Sequence, residues 1–137
     1  MSWLRGGFIL IVGTGIDIVE VERIACAIRN NHRFIERFFT AKEKEYFVER
    51  KNRCEVIAGN FAAKEAFSKA LGTGIRYFAL KDIEILRDDL GKPYINLYEK
   101  ALLLAQKKEI DKFHISISHC KEYAIASVTA EKIENSV

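Results

Sequence analysis

A single carboxylate interrupts an apolar stretch near the start of the chain. Asp17 lies close to the end of the run 8–18 (FILIVGTGIDI), whose β-branched residues predict a buried strand. A carboxylate in a buried strand is costly unless it is hydrogen-bonded, paired with a cation or bound to a metal ion. Asp17 is therefore a candidate metal ligand, and the structural alternative is that it caps the helix that follows.

A second group of charged residues lies in the alanine-rich segment 61–71, whose composition predicts a helix. Glu65 and Lys69 are four residues apart and so share one helix face, with Ser68 beside both. The small alanines would let a ligand or another backbone approach this face closely. A plain surface ion pair between Glu65 and Lys69 explains the same spacing, and it stays open at this point.

Two further patterns match only part of a known motif: a dinucleotide-binding fingerprint and a serine–histidine nucleophile pair. The G-T-G at 13–15 follows a strand as in a dinucleotide-binding fingerprint, but Ile18 occupies the third glycine position. The sequence has no P-loop motif either, so a Rossmann or P-loop enzyme is disfavoured. Ser116, Ser118 and His119 end a predicted strand, where a serine–histidine nucleophile pair or a polar strand face would both fit. No nucleophile elbow accompanies them.

Positive charge is concentrated between residues 23 and 37. This segment holds four arginines and one glutamate, a net charge of +3 that equals the charge of the whole chain. Such a patch suits an acidic protein or a phosphate-bearing partner, and a solvated helix face is the structural alternative. The four arginines are Arg23, Arg29, Arg33 and Arg37.

Length and composition limit the class of protein. The 137 residues, 49% hydrophobic and 30% charged, predict one domain with a core of its own. A net charge of +3 is far from that of a dedicated nucleic-acid binder. The three cysteines have no C-x-x-C spacing, which favours reduced thiols in a cytoplasmic protein. The early apolar run is too short for a signal peptide or a membrane span.

The helices that must position these residues are predicted from periodicity and caps. Apolar residues spaced three and four apart after Val21 predict an amphipathic helix. Thr40 and Glu43 form a capping-box pattern at the start of a second helix. A longer helix over 55–71, ended by Gly72, carries the second charged group.

The strands are predicted from alternation, and together with the helices they define the fold class. Besides the first strand, we expect strands at 82–86, 94–97, 113–118 and 123–130, and one more helix at 97–109. Strands and helices without regular alternation favour an α+β fold, a small antiparallel sheet packed with helices. Residues 1–8 are predicted to be a loose leader and 9–137 a single domain.

Four segments of the chain resemble a single family. In chain order they are GTGIDIVEVERI at 13–24, AGNFAAKEAFSKALGTGI at 58–75, DIEI at 82–85 with GKP at 91–93, and ISISHCKEYAIAS at 115–127. The chain thereby resembles, from about residue 9 to residue 131, the holo-[acyl-carrier-protein] synthases, the short type of 4'-phosphopantetheinyl transferase. The resemblance implies the fold of that family. It also implies an enzyme that moves the phosphopantetheine arm of coenzyme A onto a serine of acyl carrier protein, releasing adenosine 3',5'-bisphosphate.

The resemblance also implies roles for the charged candidates. Asp17 and Glu65 match the family's Mg²⁺ ligands, and Lys69 matches a lysine that contacts the phosphates of coenzyme A. Mg²⁺ prefers such oxygen ligands and would neutralise the charge that develops on the pyrophosphate. The base that deprotonates the carrier serine is then either Glu65 or a metal-bound water that Glu65 orients. The implied catalytic residues are thus Asp17, Glu65 and Lys69.

Other matching positions imply contacts with the two substrates. Arg23 and Arg33 match basic positions that dock the acidic recognition helix of the carrier protein. The family usually reads G-R-F-A where this chain has Asn60, so one charge contact near the coenzyme A phosphates lacks its usual residue. The residues expected to bind coenzyme A, together with Lys69, are Ser68, Gly91, Lys92, Pro93 and His119.

The short length predicts an assembly once the resemblance is considered. Long transferases of the superfamily are similar to two such units fused, and the short family is homotrimeric. We therefore expect a cytoplasmic homotrimer in which Asp17 and Glu65 of one subunit face a neighbour, with no nucleic-acid or membrane partner. Two alternatives remain at this point: another nucleotide-dependent phosphotransferase, or a basic, non-catalytic binding module for an acidic protein.

Overall fold

The computed structural model describes residues 7–135 of the chain. Most of the predicted leader therefore lies outside the described residues. Its last two residues, Gly7 and Phe8, are not loose, because they begin strand β1 (Gly7–Glu20) and pair with Asn135 and Glu134. The first strand is thus longer at both ends than the predicted run 8–18.

The other elements follow the predicted order, with bounds shifted by a few residues. The second predicted helix starts after a true capping box, in which the Thr40 hydroxyl accepts from the Glu43 amide and the Glu43 carboxylate accepts from the Thr40 amide. A five-residue helix and a 3₁₀ turn at Leu80–Asp82 are additional. The elements after β1 are α1 (Val21–Asn30), α2 (Phe34–Phe38), α3 (Ala41–Glu49), α4 (Cys54–Ala70), β2 (Ile83–Arg87), β3 (Pro93–Leu97), α5 (Glu99–Lys107), β4 (Lys112–His119) and β5 (Tyr123–Asn135).

Two antiparallel sheets and one central helix form the architecture. The larger sheet has the order β1-β5-β4, and β2 pairs with β3 in the smaller one. The last two strands form the predicted hairpin, in which His119 pairs with Ala124. Helix α4 packs across the larger sheet and contacts β2 as well, and most of its residues are buried. The fold is therefore of the predicted α+β class.

The prediction that the first strand is buried is wrong for most of its length. Helix α4 covers only one face of the larger sheet, so side chains alternate between that face and an open one. Ile16 and Ile18 are 59% and 61% exposed, although both are large and apolar. Their neighbours on β5, Tyr123 and Ile125, are exposed on the same face. We call Ile16, Ile18, Tyr123 and Ile125 the open sheet face.

Membrane insertion has no support among the helices. Across residues 7–135, no helix combines the length and the apolar character that crossing a bilayer requires.

The three cysteines, at 26, 54 and 120, are all free thiols.

Candidate functional site

The two glycines of the G-T-G segment bring β1 into direct contact with α4. A Cβ atom on Gly15 would lie 1.9 Å from the carbonyl oxygen of Ala66, and one on Gly13 would lie 2.0 Å from that of Ala70. Real Cβ atoms never approach so closely, so only glycine fits at either position. The two glycines that suggest a dinucleotide fingerprint therefore allow β1 to pack closely against α4. This packing places the next residues of β1 beside the last turns of α4.

Asp17 lies beside Lys69 as a result of this packing. The Lys69 Nζ donates to the Asp17 Oδ1 at 3.2 Å and to the Ile16 carbonyl oxygen at 2.9 Å. Asp17 does not cap the following helix, since the N-cap of α1 is Glu20, which makes no side-chain cap hydrogen bond. Within residues 7–135 the ion-pair partner of Lys69 is Asp17 rather than Glu65, so the surface-pair interpretation is wrong.

Glu65 completes a cluster of two carboxylates and one ammonium. Burial raises the pKa of Glu65, the nearby charge of Asp17 raises it further, and Lys69 lowers it. Two carboxylates close enough to repel each other form a natural site for a cation. The described residues contain no group of three or more His, Cys, Asp and Glu side chains that could hold a metal ion. This donor set still fits Mg²⁺, which takes one or two carboxylates and completes its shell with phosphate oxygens and waters.

Substitution of Gly15 by alanine tests whether this packing positions the cluster. The added methyl group would force β1 away from α4, and we expect a destabilisation of about 1–3 kcal/mol. Because a shift of about 1 Å can cost a factor of about 100 in rate, turnover should fall more than stability explains. Urea unfolding and kcat would be measured with Gly7→Ala as the control, since a Cβ there meets its nearest atom at 3.5 Å. A Gly15→Ala protein with normal stability and turnover would contradict this assignment.

A second group of predicted residues meets at a small pocket at the other end of α4. Gly91, Pro93 and His119 come from three separate parts of the sequence and line one cavity of about 130 Å³. Lys92 is exposed and is not among its lining residues, and its backbone amide donates to the Asp88 carboxylate of the turn. The pocket is completed by Tyr46, Val56, Gly59, Arg87 and Ile117.

Besides Lys92, the structure leaves three serine candidates outside both groups. Ser68 is buried and its hydroxyl donates to the Lys64 carbonyl oxygen, because α4 is covered on nearly every side at this turn. Its predicted contact with coenzyme A is therefore not supported by this position. Ser116 and Ser118 alternate with His119 along β4 and so point to the opposite sheet face, which excludes a serine–histidine nucleophile pair.

Several residues beneath the pocket are ones that sequence reasoning missed. The Lys64 Nζ lies 2.7 Å from the Glu43 Oε1, and both side chains are fully buried. Desolvation raises the pKa of Glu43 and lowers that of Lys64. The Asn60 amide nitrogen donates to the same Glu43 carboxylate, and the Asn60 carbonyl oxygen accepts from Arg87 at 2.9 Å. The one sequence feature that points to this network is Asn60, which stands where the family usually has an arginine.

The basic segment is divided by the fold into separate regions. Arg29 pairs with Glu22 at 3.0 Å on the exposed side of α1, so its charge is partly neutralised. Arg23 is exposed on the same helix. Arg33 lies at the start of α2 and shares a shallow surface pocket with Arg37 and with Lys81 from the 3₁₀ turn. This second region keeps a net positive charge, as a docking surface for an acidic partner would.

Comparison with known proteins places the chain in a family. Residues 13–128 match the 4'-phosphopantetheinyl transferase superfamily. A holo-[acyl-carrier-protein] synthase from Clostridium botulinum (strain Eklund 17B / Type B) is 56% identical over 126 residues, covering 90% of this chain and 100% of the relative.

Two solved structures extend the comparison to the fold. The holo-(acyl-carrier-protein) synthase from Bacillus anthracis str. Ames, in complex with CoA (3',5'-ADP), is 41% identical with a TM-score of 0.72, covering 89% of this chain and 97% of that one. The holo-[acyl-carrier-protein] synthase from Helicobacter pylori, in complex with coenzyme A, is 37% identical with a TM-score of 0.75, covering 85% of this chain and 98% of that one.

Proposed function

The chain belongs to the 4'-phosphopantetheinyl transferase superfamily, and from this we infer that it is an enzyme that makes holo-acyl carrier protein. It transfers the 4'-phosphopantetheine group from coenzyme A to a serine of apo acyl carrier protein. The observation that carries the proposal is the junction of β1 and α4, where Asp17, Glu65 and Lys69 form one charged cluster. A binding module without catalysis would have no use for this cluster.

The reaction assigns a separate task to each member of the cluster. The serine hydroxyl oxygen attacks the β-phosphorus of coenzyme A, and the bond from that phosphorus to the α-phosphate oxygen breaks. The hydroxyl proton passes to Glu65 or to a water that Glu65 orients; burial and the charge of Asp17 raise the pKa of this carboxyl, which makes it a better proton acceptor than an ordinary glutamate. Adenosine 3',5'-bisphosphate leaves.

Lys69 and Asp17 act on the charge of the donor. The Lys69 side chain is 56% exposed, so its ammonium can turn from Asp17 toward the phosphate oxygens. Mg²⁺ held by Asp17 and Glu65 would neutralise the charge that develops on the pyrophosphate as the bond breaks.

Formation of adenosine 3',5'-bisphosphate tests the proposed reaction. We expect this nucleotide to appear by chromatography only when coenzyme A, Mg²⁺ and apo carrier protein are all present. In a parallel thermal melt, coenzyme A with Mg²⁺ should raise the melting temperature, because a ligand that binds only the folded state stabilises it. A shift produced by ATP and not by coenzyme A would support another nucleotide-dependent phosphotransferase and contradict this proposal.

We further propose that carrier protein docks at the region around Arg33. Arg33→Glu should raise the KM for carrier protein about tenfold or more, since it places like charges together, and leave the KM for coenzyme A unchanged. Steady-state kinetics with each substrate varied in turn would measure both constants. Lys107→Glu, an equal charge reversal at the far end of α5, is the matched control. Equal increases in both constants would contradict docking at Arg33.

We propose a homotrimer whose active sites lie between subunits. The open sheet face supports this, since large apolar side chains exposed on one contiguous face are typical of a protein interface. The pocket lined by Gly91 and His119 is small, and a neighbouring subunit would enlarge the surface available to coenzyme A. The free thiols and the nature of both substrates favour the cytoplasm as the place of reaction.

A further inference from the structure

Arg87 is a cation held in a partly buried position without a carboxylate partner. It lies at the end of β2, and its Nη2 donates to the Asn60 carbonyl oxygen at 2.9 Å. Its guanidinium lies over the Tyr46 ring, 4.9 Å from the centroid. Among residues 7–135, no carboxylate lies within ion-pair distance of it, and its Nη1 is a buried donor with no hydrogen-bond partner.

An unpaired donor of this kind needs an explanation, since buried polar groups in native proteins are nearly always satisfied. Burial also lowers the pKa of Arg87, so the protein bears a cost for holding the charge here. A bound anion would satisfy the free donor and balance the charge together. Guanidinium groups match phosphate in geometry and hydrate weakly, which makes arginine well suited to partly buried phosphate sites.

Asn60 holds Arg87 in this orientation. The Asn60 amide nitrogen donates both to the Glu43 Oε2 and to the Ile85 carbonyl oxygen, at 3.0 Å each. With both protons used, the amide can present only its carbonyl oxygen to the guanidinium. Asn60, on α4, therefore fixes the orientation of an arginine from β2 that lines the pocket beside His119 and Gly91.

The place of this pocket relative to the charged cluster indicates which phosphate it would take. Asn60 precedes Glu65 by five residues, which is about 7.5 Å of rise and about 140° of rotation around α4, so the pocket beside Arg87 and the cluster at Glu65 are separate sites. Coenzyme A carries a pyrophosphate on the 5' oxygen of its ribose and a separate phosphomonoester on the 3' oxygen. If the pyrophosphate lies at the cluster of Asp17, Glu65 and Lys69, the group left to occupy a second cationic site on the same nucleotide is the 3'-phosphate.

We propose that Arg87 binds the 3'-phosphate of coenzyme A. The proposal rests on the proposed function, since it takes coenzyme A as the donor. It deepens that function by naming the residue that selects the donor's 3'-phosphate. Arg87 is then a residue that determines specificity for the donor, because it would distinguish coenzyme A from its 3'-dephospho form.

Arg87→Gln, assayed with coenzyme A and with 3'-dephospho-coenzyme A, tests the proposal. Glutamine keeps an amide donor for Asn60 and removes the charge. We expect the Kd of coenzyme A, measured by calorimetry on the whole protein, to rise about tenfold or more, as for loss of a charged hydrogen bond. The Kd of the dephospho compound should change less than about twofold. Arg50→Gln is the matched control, because Arg50 is exposed and lies over the same Tyr46 ring at 5.0 Å.

The possible outcomes distinguish failure of the 3'-phosphate site from failure of the proposed transferase function. Equal weakening of both ligands by Arg87→Gln would give Arg87 a structural role and overturn the proposal, as would no weakening at all. If Arg87→Gln melts early, Arg87→Lys serves instead, and it should retain part of the preference for the 3'-phosphate. Wild-type protein that binds both compounds equally would refute the 3'-phosphate site alone. Wild-type protein that binds neither would refute the proposed function.

Discussion

Asp17→Asn and Glu65→Gln are each expected to abolish Mg²⁺-dependent transfer, with kcat lowered at least about 1000-fold. Each change removes one of the two carboxylates that form the cation site and leaves the shape of the side chain almost the same. The transferring phosphoryl group then loses electrostatic stabilisation that water cannot replace. Transfer to apo carrier protein would be followed by loss of coenzyme A under saturating Mg²⁺.

The fold should survive these substitutions. Whether the free energy of unfolding rises or falls distinguishes a functional role of Glu65 from a purely structural one. Burial and the charge of Asp17 raise the pKa of Glu65, so its ionised form costs the folded protein free energy above that pKa. Glu65→Gln removes this cost, and its free energy of unfolding at pH 7 should be equal to or higher than that of wild type. A residue with a purely structural role would show the opposite change.

Glu55→Gln is the matched control for the metal assignment. Glu55 lies on the same helix as Glu65, in its first turn and away from the cluster. Its substitution should leave kcat unchanged and cost at most about 1 kcal/mol of helix stability. Near wild-type turnover of both Asp17→Asn and Glu65→Gln would refute the assignment of the two carboxylates to a catalytic cation site.

Ile18→Glu is expected to produce a monomer that no longer catalyses transfer. Ile18 is 61% exposed in the single chain and lies at the centre of the open sheet face. Burying one such side chain at an interface contributes about 1.5–3 kcal/mol, and a buried unpaired carboxylate reverses that contribution. Light scattering coupled to size-exclusion chromatography would give the mass, and kcat would be measured on the same fractions.

Leu103→Glu separates a specific interface from a general effect of surface charge. Leu103 is 64% exposed on α5, comparable to Ile18, and lies outside the open sheet face. Its substitution should change neither the mass nor the activity. A wild-type monomer with full activity, or an Ile18→Glu protein of unchanged mass, would contradict the proposed trimer.

The parts of the fold that depend on local sequence could be predicted well. The capping box at Thr40 and Glu43 forms as expected because its contacts span only three residues. The long helix ends at Ala70 before Gly72, which has φ of 75° as a C-terminal glycine should. The grouping of Asp17 with Glu65 and Lys69 was implied by the family resemblance, since nothing local relates β1 to α4.

The parts that depend on long-range packing were missed or misjudged. Lysine is rarely buried, so nothing in the sequence indicated that Lys64 pairs with Glu43 in the core. Ser68 lies beside Glu65 and Lys69 in sequence, but it is buried, because α4 is covered on the side that Ser68 faces. The first strand is apolar enough for burial, but one chain supplies a cover for only one of its faces. Arg87 meets Asn60 across 27 positions of sequence, a distance over which no spacing rule applies.

Mass spectrometry of apo acyl carrier protein tests the central claim most directly. The carrier would be incubated with coenzyme A, Mg²⁺ and this protein, and its intact mass compared with that of a reaction containing Glu65→Gln. We predict a gain of one phosphopantetheinyl group, located on a serine, in the wild-type reaction and no gain in the variant reaction. A carrier whose mass is unchanged by wild-type protein, with the same carrier converted by an authentic synthase, would contradict the account.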